Sequence, residues 1–402
     1  MLNTPEHVAT EGEGYLLDAK TFQPNLCPHV QDEFIKACCH QIQAAYDEGV
    51  IADCIVRATI KHEARVHQVE INSGAHSNMH NFNREMHVLR KILVQQAQQM
   101  GLVYISAGAS PVTFQESPMI TPQPRYQQTL KQLKGGDVFE LMKDFDPCAA
   151  HFHIEVLDED ERVRLMSAFQ EFLWLFLGLS LSSPITAGNN SGYHSTRQLA
   201  WANFPNAGVY KGLAKTKAEW NADIEAKIAT GDAEDTTTMW YWVRACDKQP
   251  TCEIRVSDAI TYVDDIAPIM ALAVSLKGYL LSRPDRALGN PDIAEANLNA
   301  VTEHGRRAYV NLLQEDGTYK KERFGDAARI ILQELVPYAE KAMEGTAYPY
   351  FEKLYKILKR TAVSSTILRH YHEALGKDDT DEAHAERSVI DFLACATAKY
   401  NA

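Results

Sequence analysis

The sequence predicts an α+β protein in which an antiparallel β-sheet is backed by helices and the last third of the chain is mainly helical. Two observations support this prediction. Short segments in which polar and apolar residues alternate, as on half-buried strands, lie before residue 260. Apolar residues spaced three and four apart, typical of amphipathic helices, run through the middle and the end of the chain. Because no internal repeat or long linker interrupts the 402 residues, we expect one domain over 1–402, with a sheet-containing core at 1–282 and a mainly helical portion at 283–402.

The individual elements follow from their residue patterns in chain order. Alternating segments predict strands at 11–18, 55–61, 66–72, 102–107, 150–156 and 252–257. Apolar stripes predict helices at 31–48, 83–100, 159–181, 267–282, 292–313 and over much of 326–399. Loops rich in Gly, Ser, Asn and Pro are expected at 108–124 and 183–195, and an acidic, threonine-rich loop at 229–238.

Charge and composition exclude some classes of function. The formal net charge is -13, which argues against a nucleic-acid partner because phosphate binding needs clustered Lys and Arg. The most apolar run, FLWLFLGLSL, has about half the length of a membrane span, and the opening MLNTPEHVATEGEGY shows no signal-peptide pattern. The eight cysteines include no Cys-x-x-Cys pair, so free thiols are expected. We therefore expect a cytoplasmic protein with neither nucleic acid nor membrane as its partner.

Four of the predicted strands carry chemically similar polar faces, since side chains two residues apart on a strand point to the same side of the sheet. These faces hold Glu11 and Glu13; Gln68, Glu70 and Asn72; His151, His153 and Glu155; and Glu253 and Arg255. Each pattern alone is what a sheet with one solvated face would show. Together, however, the faces concentrate Glu and His, and none of them carries a Lys.

Several carboxylates on one surface repel each other unless cations lie among them. A divalent metal ion removes that repulsion, and oxygen ligands suit Mg²⁺ or Mn²⁺ better than Zn²⁺. Mg²⁺ held by carboxylates usually keeps waters, and substrate phosphates complete its coordination. The residues therefore indicate a sheet that binds a metal–nucleotide complex. A metal-dependent amide hydrolase built on His151 and His153 is one alternative, because the H-x-H pattern also fits a metal site.

The chain resembles the bacterial type-2 glutamate–cysteine ligases, carboxylate–amine ligases of the glutamine-synthetase-like superfamily. The matching segments, in family order, are TEGEGYLLD, QVEIN followed by a long helix, GLVYISAGASPV, HFHIEV, NSGYHSTRQLAWANFPNAG and TCEIRVSDA. The resemblance implies a curved antiparallel sheet whose concave face binds ATP and Mg²⁺ or Mn²⁺.

The resemblance also implies roles for individual residues. The implied metal-site residues are Glu11, Glu13, Glu70, His153 and Glu253, with Glu63 as a further acidic ligand. The implied nucleotide-binding residues are Arg255, Tyr193 and Ser195, and the implied catalytic residues are Arg255, Arg197 and Glu253. Strand alternation would put Glu63 on the opposite face from Glu70, so that ligand requires a bulge or a bend. For Arg197, an exposed salt bridge at a helix start is the alternative.

The implied reaction is ATP-dependent amide formation. The γ-phosphoryl group of ATP moves to the carboxylate of an amino acid, with the γ-carboxylate of glutamate as the expected substrate, and an amine co-substrate attacks the acyl phosphate. The sequence leaves the amine open. Related enzymes often form dimers, and the oligomeric state, including a homodimer, also stays open.

Two features depart from the family pattern. Ala9 and Thr10 precede Glu11 where relatives usually carry a Gly and an apolar residue. Glu155 stands near a position where relatives usually have a small residue. An acidic side chain there would add a ligand, block part of the pocket or repel a substrate carboxylate. The second alternative is therefore a catalytically altered relative that binds a nucleotide or an amino acid.

Overall fold

The computed structural model describes residues 6–115, 119–124, 146–201, 204, 206–233, 235, 238–376 and 382–400. Its strands are β1 (Val8–Asp18), β2 (Thr59–His62), β3 (Gln68–Asn72), β4 (Leu102–Ile105), β5 (Ala149–Glu155), β6 (Ile185–Thr186), β7 (Asn189–Asn190), β8 (Ala207–Gly208), β9 (Trp240–Tyr241), β10 (Val243–Cys246), β11 (Thr251–Asp258), β12 (Tyr309–Leu313) and β13 (Tyr319–Arg323). Its α-helices are α1 (Pro28–Asp47), α2 (Met79–Gln99), α3 (Glu159–Phe169), α4 (Leu173–Ser180), α5 (Thr196–Trp201), α6 (Lys217–Thr230), α7 (Ile266–Leu281), α8 (Pro291–His304), α9 (Phe324–Ala339), α10 (Tyr348–Phe351), α11 (Lys353–Lys359), α12 (Val363–Leu375) and α13 (Glu382–Thr397). In the described part of the chain, no helix has both the length and the apolarity that crossing a membrane requires.

Seven strands form one antiparallel sheet, which confirms the predicted combination of helices with an antiparallel sheet. The strand order is β10, β11, β5, β1, β3, β2, and β4 pairs with β1 as well. The long strand β1 is the centre of the arrangement, because it pairs with β5, β3 and β4 along successive parts of its length. The curvature and the concave face stay predictions.

The two faces of this sheet are covered differently. On one face, apolar side chains such as Phe152, Ile154 and Ile254 are fully buried and belong to the main core, and helices α2, α4 and α7 contact the strands. On the other face, Tyr15 and Ile105 join a smaller apolar cluster with residues of α12 and α13. The rest of this second face carries the polar residues of the candidate site.

Two predicted helices are wrong in their extent. A 3₁₀ turn at Gln170–Phe172 divides the helix predicted at 159–181. The helix predicted at 292–313 ends at His304, because Gly305 takes a positive φ of 58° that interrupts the helix. Strand β12 follows and pairs with β13 in a hairpin. This hairpin was not predicted, because the apolar spacing of residues 309–313 continues the helical pattern.

The other predicted boundaries agree to within a few residues, but several elements were not predicted, among them helices α5 and α6 and the short strands β6 to β9. The strand predicted at 55–61 begins only at Thr59, and β10 was not predicted. In the loop predicted at 229–238, α6 continues to Thr230 and residues 234, 236 and 237 lie outside the described residues. Parts of the predicted loop at 108–124 and of the C-terminal helical region at 326–399 also lie outside them, namely 116–118 and 377–381.

The close approach of Gly178 to Phe324 generates a stability prediction. A Cβ at Gly178 would lie 2.1 Å from Cε2 of Phe324, so Gly178→Ala must displace a buried aromatic ring. We expect the free energy of unfolding, measured by urea titration, to fall by about 1–3 kcal/mol, as in other overpacked cores.

Gly325→Ala is the matched control, because a Cβ at this helical position meets no atom within 4 Å. Its free energy of unfolding should stay unchanged or rise by up to about 1 kcal/mol through helix propensity. Equal stability of the two variants would contradict the packing account.

Candidate active site

Strand pairing places the predicted polar residues side by side on one face of the sheet. Glu11 of β1 lies opposite His151 of β5, and on the other side of β5 His153 lies opposite Glu253 of β11. Farther along β1, Glu13 is paired with Glu70 of β3. Because the Cβ atoms of directly paired residues are about 4.5–5.5 Å apart, this register collects side chains from four strands into one site.

Glu11, His153 and Glu253 form the first of two carboxylate groups. Their ligand atoms all lie within 4.8 Å of one another. Nε2 of His153 is 3.5 Å from Oε1 of Glu11 and 3.8 Å from Oε1 of Glu253. This nitrogen is buried and has no hydrogen-bond partner among the described residues, whereas Nδ1 of the same ring is 3.0 Å from Oγ1 of Thr251. Thr251 thus orients the imidazole ring of His153, and Nε2 of this ring faces the carboxylates of Glu11 and Glu253.

Two arginines balance the charge of Glu253. Nε and Nη2 of Arg244 lie 2.9 and 2.8 Å from Oε2 of Glu253, and Nη1 of Arg255 contacts Oε1. Burial alone would raise the pKa of Glu253, but Arg255 and Arg244 hold this pKa below its ordinary value. Burial also opposes the ionisation of Glu11, yet the hydrogen bond with His151 and the proximity of His153 hold its pKa low. Both carboxylates of the first group are therefore ionised at neutral pH.

Glu13, Glu63 and Glu70 form the second carboxylate group. Strand β2 ends at His62, so Glu63 lies beyond the strand and the bend that its predicted role requires is present. Burial raises the pKa of Glu70 well above its ordinary value, and the adjacent carboxyl of Glu63 raises it further by charge and by a hydrogen bond. Burial, together with Glu70, raises the pKa of Glu13 to about 8. Glu13 therefore keeps its proton at neutral pH, although Arg197 and Arg255 act to lower its pKa.

His151 lies between the two groups. Its Nδ1 is 2.8 Å from Oε2 of Glu11, and its Nε2 is 3.9 Å from Oε1 of Glu13. Burial lowers the pKa of His151 to about 4, so the ring is neutral at neutral pH and separates the two groups without adding charge.

Glu155, at which this chain departs from the family pattern, is not part of either group. Its Oε2 accepts a hydrogen bond from the backbone N–H of His7 and lies 3.0 Å from Nδ1 of the same residue. The side chain is thereby attached to the residue that precedes β1. Its effect on the pocket stays a prediction.

The three predicted residues of the 193–197 segment lie outside the two carboxylate groups. Arg197 is buried, and its Nη1 and Nη2 donate to two backbone carbonyls of β11 at 3.1 and 2.9 Å, so the alternative of an exposed salt bridge is wrong. Ser195 is also buried and donates to Oδ1 of Asp258 at 2.7 Å. Tyr193 is half-buried. The catalytic role of Arg197 and the nucleotide-binding roles of Ser195 and Tyr193 stay predictions.

Arg244 and Cys246 of β10 were missed by the sequence analysis. Besides the two contacts of Arg244 with Glu253, Sγ of Cys246 lies 3.2 Å from Oε2 of that carboxylate. A signal was available, because the β-prone run WYWVRAC is separated from TCEIRVSD by only the turn residues DKQP. That pattern is typical of a hairpin and would have placed Arg244 beside β11.

A cavity of about 680 Å³ lies in another part of the molecule, between α7, α9 and the β12–β13 hairpin. Tyr279, Arg283 and Glu334 are among its lining residues. None of the predicted site residues lines it, so the candidate site is defined by the side chains of the sheet.

The fold is shared with ligases of known structure. The glutamate–cysteine ligase of Francisella tularensis, solved in complex with AMP, superposes with a TM-score of 0.60 at 11% identity and covers 99% of this chain and 90% of its own. The bifunctional glutathione synthetase of Pasteurella multocida gives a TM-score of 0.64 at 13% identity, over 97% of this chain and 52% of its own. At such identities the likeness establishes the fold alone.

Sequence comparison identifies the family. The family model described as glutamate-cysteine ligase family 2 matches residues 8–384, so the chain belongs to this family and the predicted resemblance is confirmed. Relatives named "Putative glutamate--cysteine ligase 2-1" in Rhodococcus jostii and "2-2" in Mycolicibacterium smegmatis are each 29% identical, over 56% and 67% of this chain. These matches span 59% and 61% of the relatives' own length.

The raised pKa of Glu13 generates a prediction for the metal-free protein. A glutamate in the unfolded chain titrates near 4.5, whereas Glu13 in the folded chain titrates near 8. Between these pH values the folded protein holds a proton that the unfolded chain has released. The stability that Glu13 contributes is therefore fully present below about pH 4.5 and is lost as the pH rises toward 8.

In the presence of EDTA, the thermal unfolding midpoint of the wild type should therefore fall more between pH 5 and pH 8 than that of Glu13→Gln, which has no proton to lose there. The other titrating groups are present in both proteins, so the difference between the two curves reports Glu13 together with its effect on the neighbouring Glu70. Parallel curves would contradict the assigned protonation.

Proposed function

We propose that this protein is an ATP-dependent carboxylate–amine ligase that joins the γ-carboxylate of glutamate to an amine. The observation that carries the proposal is the group Glu11–His153–Glu253, whose ligand atoms converge on one sheet face. Glu13, Glu63 and Glu70 add further carboxyl groups, since Glu70 raises the pKa of Glu13 and Glu63 raises that of Glu70. Membership of glutamate-cysteine ligase family 2 supports the same class of reaction.

The residues of both groups fit Mg²⁺ or Mn²⁺. Carboxylate oxygens are the ligands that these ions prefer. In the first group, Nε2 of His153 is buried without a hydrogen-bond partner among the described residues, as expected of a nitrogen kept for a metal ion. In the second group, burial and repulsion raise the pKa of Glu13 and Glu70, and a divalent ion would offset that repulsion. We assign one ion to each group.

Bound divalent ions would neutralise negative charge on the ATP phosphates as the γ-phosphoryl group is transferred. The chain's own residues supply the remaining functions. Arg255 places a fixed positive charge beside Glu253 and would stabilise the oxygens of the transferring group. Arg244 holds the other oxygen of Glu253 and so fixes the orientation of this carboxylate.

Phosphorylation is needed because a free carboxylate would have to expel oxide when an amine attacks it. In the acyl phosphate the leaving group is phosphate, and attack by the amine yields an amide, ADP and phosphate. We assign Arg197 to the same phosphoryl group and Tyr193 to the nucleotide. Ser195 is better placed to hold the segment that carries Arg197 than to bind the nucleotide, because its hydroxyl already donates a hydrogen bond to Asp258.

A second candidate function is binding of a nucleotide and an amino acid without turnover. Glu155 favours it, because this carboxylate lies two residues beyond His153 on the same polar face and is 24% exposed. A negative charge at that position would repel a substrate carboxylate.

A turnover assay tests the proposed function. Incubated with Mg²⁺, ATP, glutamate and a panel of amines that includes cysteine, the protein should release ADP only when both co-substrates are present. Mass spectrometry should detect the matching γ-glutamyl amide. ATP binding without turnover for any amine would favour the second candidate, and amide hydrolysis in the absence of ATP would favour a metal-dependent hydrolase.

Charge-removing variants test the two carboxylate groups separately. Glu253→Gln and Glu70→Gln should each lower kcat by about 10²-fold or more, because the first removes a preorganised charge and the second removes a carboxylate that would bind a divalent ion. The matched control is Glu295→Gln, which alters an exposed glutamate paired with Lys211 and should leave ADP release unchanged. Wild-type turnover by both site variants would refute the metal assignment.

A further inference from the structure

A cluster of metal-ligating side chains separate from both carboxylate groups joins three elements of the fold. Cys54 follows α1, His76 follows β3, and Glu85 lies within α2. One ligand atom from each residue lies within 4.8 Å of the other two. His76 and Glu85 are buried, and Cys54 is partly exposed.

One ring nitrogen of His76 lies beside a carboxylate oxygen without forming a hydrogen bond of proper geometry. This nitrogen, Nε2, lies 3.0 Å from Oε2 of Glu85, yet it has no properly oriented hydrogen-bond partner in the described part of the chain. The side chain is only 3% exposed, so water does not readily replace the missing partner, and such a buried group is costly. Two ligands bound about 2.0–2.1 Å from a tetrahedral zinc ion lie about 3.3 Å apart, which is close to the observed separation.

The surroundings of the cluster hold its ligands in place. Oε1 of Glu85 accepts the backbone N–H of Gly74 at 2.6 Å. The hydroxyl of Tyr46 donates to Oε2 of Glu85 at 2.5 Å and lies 3.6 Å from Sγ of Cys54. A Cβ at Gly74 would lie 2.5 Å from that sulfur and 3.0 Å from Oε2 of Glu85, so glycine keeps the space between them open.

We propose that Cys54, His76 and Glu85 form a structural zinc site, with water as the fourth ligand. A thiolate and a carboxylate together balance the charge of Zn²⁺, and borderline-soft sulfur and nitrogen ligands distinguish this site from the oxygen-rich groups of the sheet. On binding, Sγ of Cys54 releases to solvent the proton that it now donates to the carbonyl oxygen of Val56, 2.9 Å away. The bound ion joins the segment after α1 to β3 and α2, and so stabilises that part of the fold.

Cobalt(II) is the probe, because a cobalt–thiolate bond gives a charge-transfer band in the near ultraviolet that oxygen and nitrogen ligands do not give. The protein is first stripped of metal ions and then placed in excess Mg²⁺ without ATP. It should develop this band when Co²⁺ is added and lose it when Zn²⁺ is added. Cys54→Ser should lose the band. Cys246→Ser is the matched control and should retain it, because its thiol lies beside Glu253 in the sheet.

A wild-type protein without the band, or a band that survives in Cys54→Ser, overturns the proposal. Thermal unfolding separates loss of the site from loss of the fold, since Zn²⁺ should raise the midpoint of the wild type and not that of Cys54→Ser. Without metal the two midpoints should agree, and Cys54→Ala serves as a second variant if the serine variant does not fold. None of these readouts depends on ligase activity.

Discussion

Repulsion among carboxylates gathered on one face of a β-sheet is the constraint on which the site depends. The fold meets it in two ways. In the first group, Arg244 and Arg255 contact Glu253, so the carboxylates stay ionised despite burial. In the second group, Glu13 and Glu70 are directly paired, and burial together with neighbouring carboxyl groups raises the pKa of both. The neutral ring of His151 lies between the two groups and keeps them apart.

This arrangement depends on the register of the strands around β1. A shift of a single residue would turn every polar side chain of a strand to the opposite face, where Phe152 and Ile154 are packed against helices. The apolar core therefore maintains the register that the polar site requires. Gly14 contributes to this packing, since a Cβ there would lie 2.5 Å from the hydroxyl oxygen of Tyr104. Packing against Tyr104 therefore explains the glycine next to Glu13.

Sequence reasoning was most successful where a property is local. The polar faces of β1, β3, β5 and β11 follow from alternation, which the geometry of an extended backbone imposes on any strand. Sequence reasoning failed where contacts with another element decide the secondary structure. Short β10 was missed, and with it Arg244. The segment 309–313 continued a helical pattern, but Gly305 ends the helix and pairing with β13 makes this segment a strand.

The sequence by itself predicted the alternating strands, the family, and all six residues of the two carboxylate groups, of which only Glu63 does not lie on an alternating strand face. Only the tertiary structure decided which of these residues meet. The pairing of Glu13 with Glu70, the position of Glu63 beyond the end of β2, and the cluster of Cys54, His76 and Glu85 all join residues that are distant in the chain or lie off a regular strand. The physical reason is that alternation arises within one strand, whereas register, bends and charge balance arise from contacts between elements.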